Sequence, residues 1–230
     1  MKHKLNKKFG FDDMEVIPIF PNQSQKLLRK EMTSTLYEYY LVGDIGEPDD
    51  YIELCDVLRS ANENDQVVIR INSCGGLLST ANMIINAIYE CEAHVHGFIE
   101  SECASAATFI LLACHSYSLG EEAEMMIHTS SSGYVGKESE QHNYVAHSRK
   151  KIHRMMKNRY EGFLTENELS RVLDGVDLYF DRDDVAERLE RYSEVQREKF
   201  MQEMEALEKE IPDNEKEEPM FKKQLLSKLR

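Results

Sequence analysis

The sequence predicts an α/β fold of repeated β-α-β units, with parallel strands joined by crossover helices. Three observations carry this. Short β-branched or aromatic runs recur, as in "TLYEYYLVG", "QVVIRIN", "AHVHGFI" and "EMMIH". Longer stretches with apolar residues at helical spacing stand between them. The two kinds alternate up to His128, without an internal repeat. A chain of 230 residues suffices for one large domain, or a domain with an appended tail.

The elements follow in order. Residues 1–33 mix basic, apolar and turn-like pieces without a period and read as an N-terminal arm or loop, an axial loop if the chain forms a ring. "TLYEYYLVG" is a strand. "EPDDYIELCDVLRSANEN" is a helix with Pro48 and acids at its start, and Ile52, Leu54, Cys55 and Leu58 on one face. "QVVIRIN" is a buried strand that "SCGG" breaks, and "LLSTANMIINAIYEC" is helical. "AHVHGFI" is a strand. "CASAATFILLAC" is a helix of small then large residues with Ser105 in its first turn, and "SYSL" and "EMMIH" are short strands.

Beyond His128 the character changes. "TSSSGYVGKESEQ" is loop- or edge-like, and "HNYVAHSRKKIHRMMKNRYEGFL" is a long amphipathic helix. "TENELSRVL" opens with Thr165 and has Glu168 three residues on, a capping-box pattern. "DRDDVAERLERYSEVQREKFMQEMEALEKE" is helical, with Val185, Leu189, Tyr192, Val195 and Phe200 spaced for one face until Pro212 stops it. A main domain over 34–200 and a charged C-terminal tail over 201–230 are expected.

Composition narrows the function. Charged residues make up 30% and the hydrophobic set 41%, as in soluble globular proteins. A formal charge of −14 argues against binding nucleic acid, which wants a basic face. No apolar run reaches the ~18–20 residues of a membrane span. The basic start "MKHKLNKKFG" has no apolar signal core after it, so a cytoplasmic protein is expected. The five cysteines form no CxxC pair and read as reduced and structural, with no metal site and no disulfide framework.

Four local features can carry chemistry, and each has a plainer reading beside it. In "INSCGG" two glycines after a strand can present backbone N–H groups to an oxyanion, or simply turn the chain. Ser105 in "CASAAT" is a helix cap or packing residue, or a nucleophile near the positive end of a helix. His128 closes "EMMIH" as an edge residue or as a general base. "LDGVDLYFDRDD" holds Asp174, Asp177, Asp181, Asp183 and Asp184, mostly in cap-like positions, one of which could orient a histidine.

Taken together and in order, these segments resemble the ClpP-like serine peptidases, the proteolytic subunits of the ATP-dependent Clp protease. The resemblance rests on "YYLVGDIGEPDDYIELCDVL", "VVIRINSCGG", "TANMIINAIYEC", "CASAATFILLAC" and "EMMIHTSSSG", and covers about residues 35–190. It implies the layered ClpP/crotonase-type fold, with a protruding handle over about 131–164. It also implies a Ser105–His128–Asp177 triad, with Gly76 and Ala106 N–H groups as the oxyanion hole. Asp177 matches the family's Asp-aromatic-acidic pattern and is preferred, since anchoring on "DRD" would put the acid at Tyr179, which cannot serve; Asp174 and Asp181 are the fallbacks.

The resemblance further implies a serine endopeptidase acting on polypeptides through an acyl-enzyme, without metal or organic cofactor. Homo-oligomeric assembly into heptameric rings, stacked in pairs, follows from it. So does a separate AAA+ unfoldase, since the chain has no phosphate-binding Gly-x-x-x-x-Gly-Lys-Ser/Thr loop of its own. Cys74 stands where the family has proline, Ser101 where it has glycine, and Cys103 and Ala106 where it has alanine and methionine. These departures suggest a divergent, phage-encoded member. Two other classes compete: a crotonase-like acyl-CoA enzyme, which needs no such triad, and a structural ring subunit with an idle triad.

Overall fold

Five parallel strands and one antiparallel strand build the central sheet. The computed structural model describes residues 15–18, 26–29, 33–129 and 137–210. Within the arm expected over 1–33, β1 (Glu15–Pro18) and β2 (Lys26–Arg29) pair antiparallel. Most of that arm, the loop over 130–136, Pro212 and the tail from 211 onward lie outside the described residues.

The sheet holds β3 (Leu36–Ile45), β4 (Gln66–Gly76), β5 (His94–Ala104), β6 (Ser116–Leu119), β7 (Glu124–Ile127) and β8 (Leu178–Phe180). Its order is β3-β4-β5-β7-β8, with β6 also beside β5. The pairs up to β7 are parallel, as alternation with helices predicts, and β8 returns antiparallel to β7. The crossovers are α1 (Ile52–Ser60), α2 (Leu78–Glu90) and α3 (Ala106–Ala113). Downstream come α4 (Glu138–Arg159), α5 (Glu166–Leu173) and α6 (Arg182–Glu210).

One core lies between sheet and helices. Ile69, Ile71, Val95, Ile99 and Ile127 from the strands meet Leu58, Ile84, Ile88, Ile110 and Leu111 from the helices, all sealed from solvent. Ile52 does not join the α1 face expected of it; it is 52% exposed, while Leu54, Cys55 and Leu58 are buried. The reason is that Pro48–Tyr51 forms a separate 3₁₀ turn, which rotates the start of α1 and sends Tyr51 inward instead. On α6, Val185, Leu189 and Tyr192 are buried, and the contact fades by Phe200, which is 40% exposed. The helix itself runs without a break through 201 to Glu210.

The capping box of α5 forms as read. The Glu168 N–H donates to Thr165 Oγ1, and the Thr165 N–H donates to Glu168 Oε2. Arg188 of α6 then clamps the same carboxylate at 2.7 and 3.0 Å, joining α5 to α6.

Two strands run further than their sequences suggest, and this shapes the site. "SCGG" does not break β4, which continues to Gly76 beside β3. Likewise β5 continues past Ile99 to Ala104, after a register shift against β4 between Ile71–Ile99 and Ser73–Cys103. Ser101 sits exposed in that irregular stretch, outside the positive-φ region, so no glycine is required there. Cys103 faces the core and is fully buried, which pushes its thiol pKa far up.

Candidate active site

Ser105 stands between β5 and α3 rather than within the first helical turn. It occupies the N-cap position of α3 with φ 53° and ψ −122°, and is the one non-glycine residue with positive φ among those described. Such a conformation costs on the order of 1–3 kcal/mol and persists only where surroundings enforce it. Two bonds do so here. The Ser105 N–H donates to Met126 O at 2.9 Å, extending the β5–β7 ladder by one step, and the Ser105 carbonyl accepts the Thr108 N–H at 3.1 Å.

The side chain makes no capping bond. Instead Ser105 Oγ lies 2.7 Å from His128 Nε2. His128 follows directly on β7, two residues after the Met126 carbonyl that anchors the serine backbone. One strand therefore fixes both partners. Both side chains are partly accessible, as groups that meet a substrate must be.

The two glycines explain how the chain approaches this turn. Gly75 has φ 98°, and a Cβ added there would lie 2.7 Å from Ser105 Cβ and 3.0 Å from Ala106 N. Gly76 has φ 148°, and an added Cβ would overlap the Ile45 backbone. Only glycine fits either position. The Leu77 N–H bonds Ile45 O, so by ladder parity the Gly76 N–H points away from β3. The β4–β5 pairing has already ended at Ser73–Cys103. Ala106 opens α3, where backbone N–H groups have no acceptor within the helix. Both expected oxyanion donors thus stand at the ends of regular elements: Ala106 directly follows Ser105, and Gly76 lines the same cleft.

A cleft of about 600 Å³ opens over these groups. Gly75, Gly76, Ser105 and His128 line it, and Leu78, Phe109, Ile152, Met155 and Met156 supply apolar surface. Asp44 and Lys151 bring charge to it, and Cys74, Ser79, Asn82 and Ser148 add polar groups. Cys74, exposed, donates its S–H to Asp44 Oδ1 at 2.9 Å, and this bond to the carboxylate raises the thiol pKa. The cysteine is thereby held protonated, not activated.

The three candidate acids separate by position. Asp181 accepts the N–H groups of Asp183 and Asp184 at 3.0 Å and caps α6. Asp174, exposed, closes α5. Asp177 immediately precedes β8, whose register pairs Ile127 with Leu178; continued by one step, it sets Asp177 across from His128. Asp177 is exposed, and among the described residues no hydrogen bond joins it to His128.

Three supporting residues were not singled out from the sequence. Ser73, fully buried, donates to Gly43 O at 2.5 Å and accepts the Gly75 N–H at 3.2 Å, tying the glycine turn to β3. Thr108 Oγ1 lies 2.6 Å from Ser105 O and 2.7 Å from the Tyr160 hydroxyl. Ser73 lies inside "INSCGG" and Thr108 three residues after Ser105, so both were within reach of a local reading. Tyr160 is 52 positions from Thr108, and nothing local marks the pair.

Among known proteins, the family model described as Clp protease matches residues 49–214. No curated protein matches the chain.

Proposed function

This chain belongs to the Clp protease family, and we propose that it is a serine endopeptidase with Ser105 as nucleophile and His128 as general base. The observation that carries the reading is the 2.7 Å approach of Ser105 Oγ to His128 Nε2 at a strained strand-to-helix turn. His128 takes the serine proton as Oγ attacks a peptide carbonyl. Gly76 and Ala106 N–H groups receive the oxyanion, the amine leaves with the proton from His128, and water hydrolyses the acyl-enzyme. Asp177 completes the triad by accepting the His128 Nδ1 proton, a role its place opposite His128 supports. Asp177 stands one register step past the last β7–β8 pair, so the placement of β8 decides where its carboxylate lies.

The working form is a homo-oligomeric ring in the cytoplasm, with α4 as the handle and polypeptides delivered by a separate unfoldase. One observation favours the idle-subunit reading instead: Asp177 is exposed and unbonded to His128. Hydrolysis decides between them. The assembled protein should cleave an internally quenched peptide, and Ser105→Ala and His128→Ala should each abolish cleavage without changing the melting temperature. Cleavage surviving Ser105→Ala would reject the nucleophile, and no cleavage by the wild type in any assembled form would favour the idle subunit.

A further inference from the structure

Resting on the serine-peptidase reading, we infer that Thr108 and Tyr160 are positioning residues that aim the Ala106 N–H into the oxyanion hole. The Ser105 carbonyl accepts two bonds from Thr108, its N–H at 3.1 Å and its hydroxyl at 2.6 Å. A hydroxyl has one proton, and Thr108 spends it on that carbonyl. The Tyr160 hydroxyl, 2.7 Å away, therefore donates into Thr108 Oγ1. Both residues are sealed from solvent, so no water competes. The result is a directed chain: Tyr160 to Thr108 to the Ser105 oxygen.

What that chain holds is a peptide plane. A trans peptide carries its carbonyl oxygen and its N–H on opposite sides. The Ser105 oxygen belongs to the same plane as the Ala106 N–H. Clamping the oxygen along α3, toward Thr108, turns the N–H back past the start of the helix, to the side where Gly75 leaves space; a Cβ there would sit 3.0 Å from Ala106 N. Ser105 holds this plane with positive φ, so it has a relaxed conformation to fall back to when the clamp loosens. The hydroxyls supply direction rather than bulk, because valine and phenylalanine would fill the same volume.

The chain also reaches the substrate side. Tyr160 ends α4, the helix whose Ile152, Met155 and Met156 form a wall of the cleft. Its ring packs on Phe109, another lining residue, at 5.0 Å between centroids. The wall that receives a side chain and the peptide that receives the oxyanion are thus joined through one buried phenol.

Four variants test this on the assembled protein: Thr108→Val, Tyr160→Phe, both together, and Thr108→Ser. Melting temperature, kcat and KM for a quenched peptide, and the rate of fluorophosphonate labelling at Ser105 are measured for each. Thr108→Val should lower kcat and labelling about fivefold, the weight of one neutral hydrogen bond, with KM unchanged. Tyr160→Phe should lower both about two- to threefold, and serves alone if Thr108→Val does not fold. Thr108→Ser, which keeps the hydroxyl, should recover kcat to within about twofold of the wild type.

The double variant separates positioning from stability. Thr108→Val alone strands a buried phenol hydroxyl, whereas the double variant removes both partners and should melt higher. Its turnover should nonetheless stay as low as that of Thr108→Val. Turnover that recovers together with melting temperature, or wild-type kcat in Thr108→Val, overturns the positioning role while leaving Ser105 as nucleophile. A wild type that carries no adduct at Ser105 overturns the peptidase reading itself, and the inference with it.

Discussion

Replacing Gly75 by alanine should disable the site by pressing a methyl group on the turn that holds Ser105. The added Cβ would lie 2.7 Å from Ser105 Cβ, 2.8 Å from Ala104 O and 3.0 Å from Ala106 N. All three belong to the turn that presents the nucleophile, and none is the end of a flexible side chain. Ordinary contact begins at 3.4 Å, so the Ser105 turn must yield by several tenths of an ångström. Misplacement approaching ~1 Å costs about 100-fold in rate, and a blocked oxyanion donor costs ~10²–10³. Stability falls as well: about 1–2 kcal/mol for a side chain at φ 98°, and about 1–3 kcal/mol for the overlap. The assay pairs fluorophosphonate labelling rate with denaturant unfolding. Gly43→Ala is the control, since φ there is 74° but nothing lies within 4 Å of the new methyl. It should lose about 1–2 kcal/mol and keep its labelling rate within a few-fold. Folded Gly75→Ala that labels as fast as Gly43→Ala would refute the packing argument for the turn.

Other expectations follow from the same geometry. Asp177→Asn should cut peptide hydrolysis by more than tenfold, whereas Asp181→Asn, which preserves the cap of α6, should leave it near wild type; equal losses would remove Asp177 from the triad. Cys74 should react slowly with iodoacetamide at pH 8, because its bond to Asp44 favours the thiol; Asp44→Asn should speed alkylation, and an unchanged rate would show the bond to be ineffective. Arg188, with help from the Thr165 N–H, holds the Glu168 carboxyl at about 2, below the ~4.3 of an unfolded chain. The stabilisation is therefore complete above the unfolded value and disappears as pH falls through about 2. Glu168→Gln should be less stable than wild type at pH 7 by about 1–2 kcal/mol, with the gap closing between pH 4.5 and 2; a gap independent of pH would contradict the assignment.

Much of this architecture is legible because it is local. Alternating apolar runs specify each strand and crossover, and the Thr165–Glu168 spacing announces a cap that forms. The extents of β4 and β5 were less legible. "SCGG" and "ESECA" carry turn or polar residues, yet neighbouring strands keep them in the sheet, a tertiary effect overriding local preference. That extension moves Ser105 from a helical turn to the apex of a strained one, which changes its chemistry. The three-residue strand β8 shows only "LYF" with Leu178 and Phe180 inward, too short a pattern to read without its partner β7. Tyr160 was invisible for a different reason: its role exists only once α4 has folded back beneath α3.

Attack by Ser105 Oγ, with His128 as its base, can be read directly. The direct measurement is intact-mass and peptide-mapping analysis of the assembled protein after fluorophosphonate treatment. One adduct per chain is expected, located on Ser105, absent in Ser105→Ala and strongly slowed in His128→Ala. An adduct on another residue, or undiminished labelling in Ser105→Ala, would contradict it.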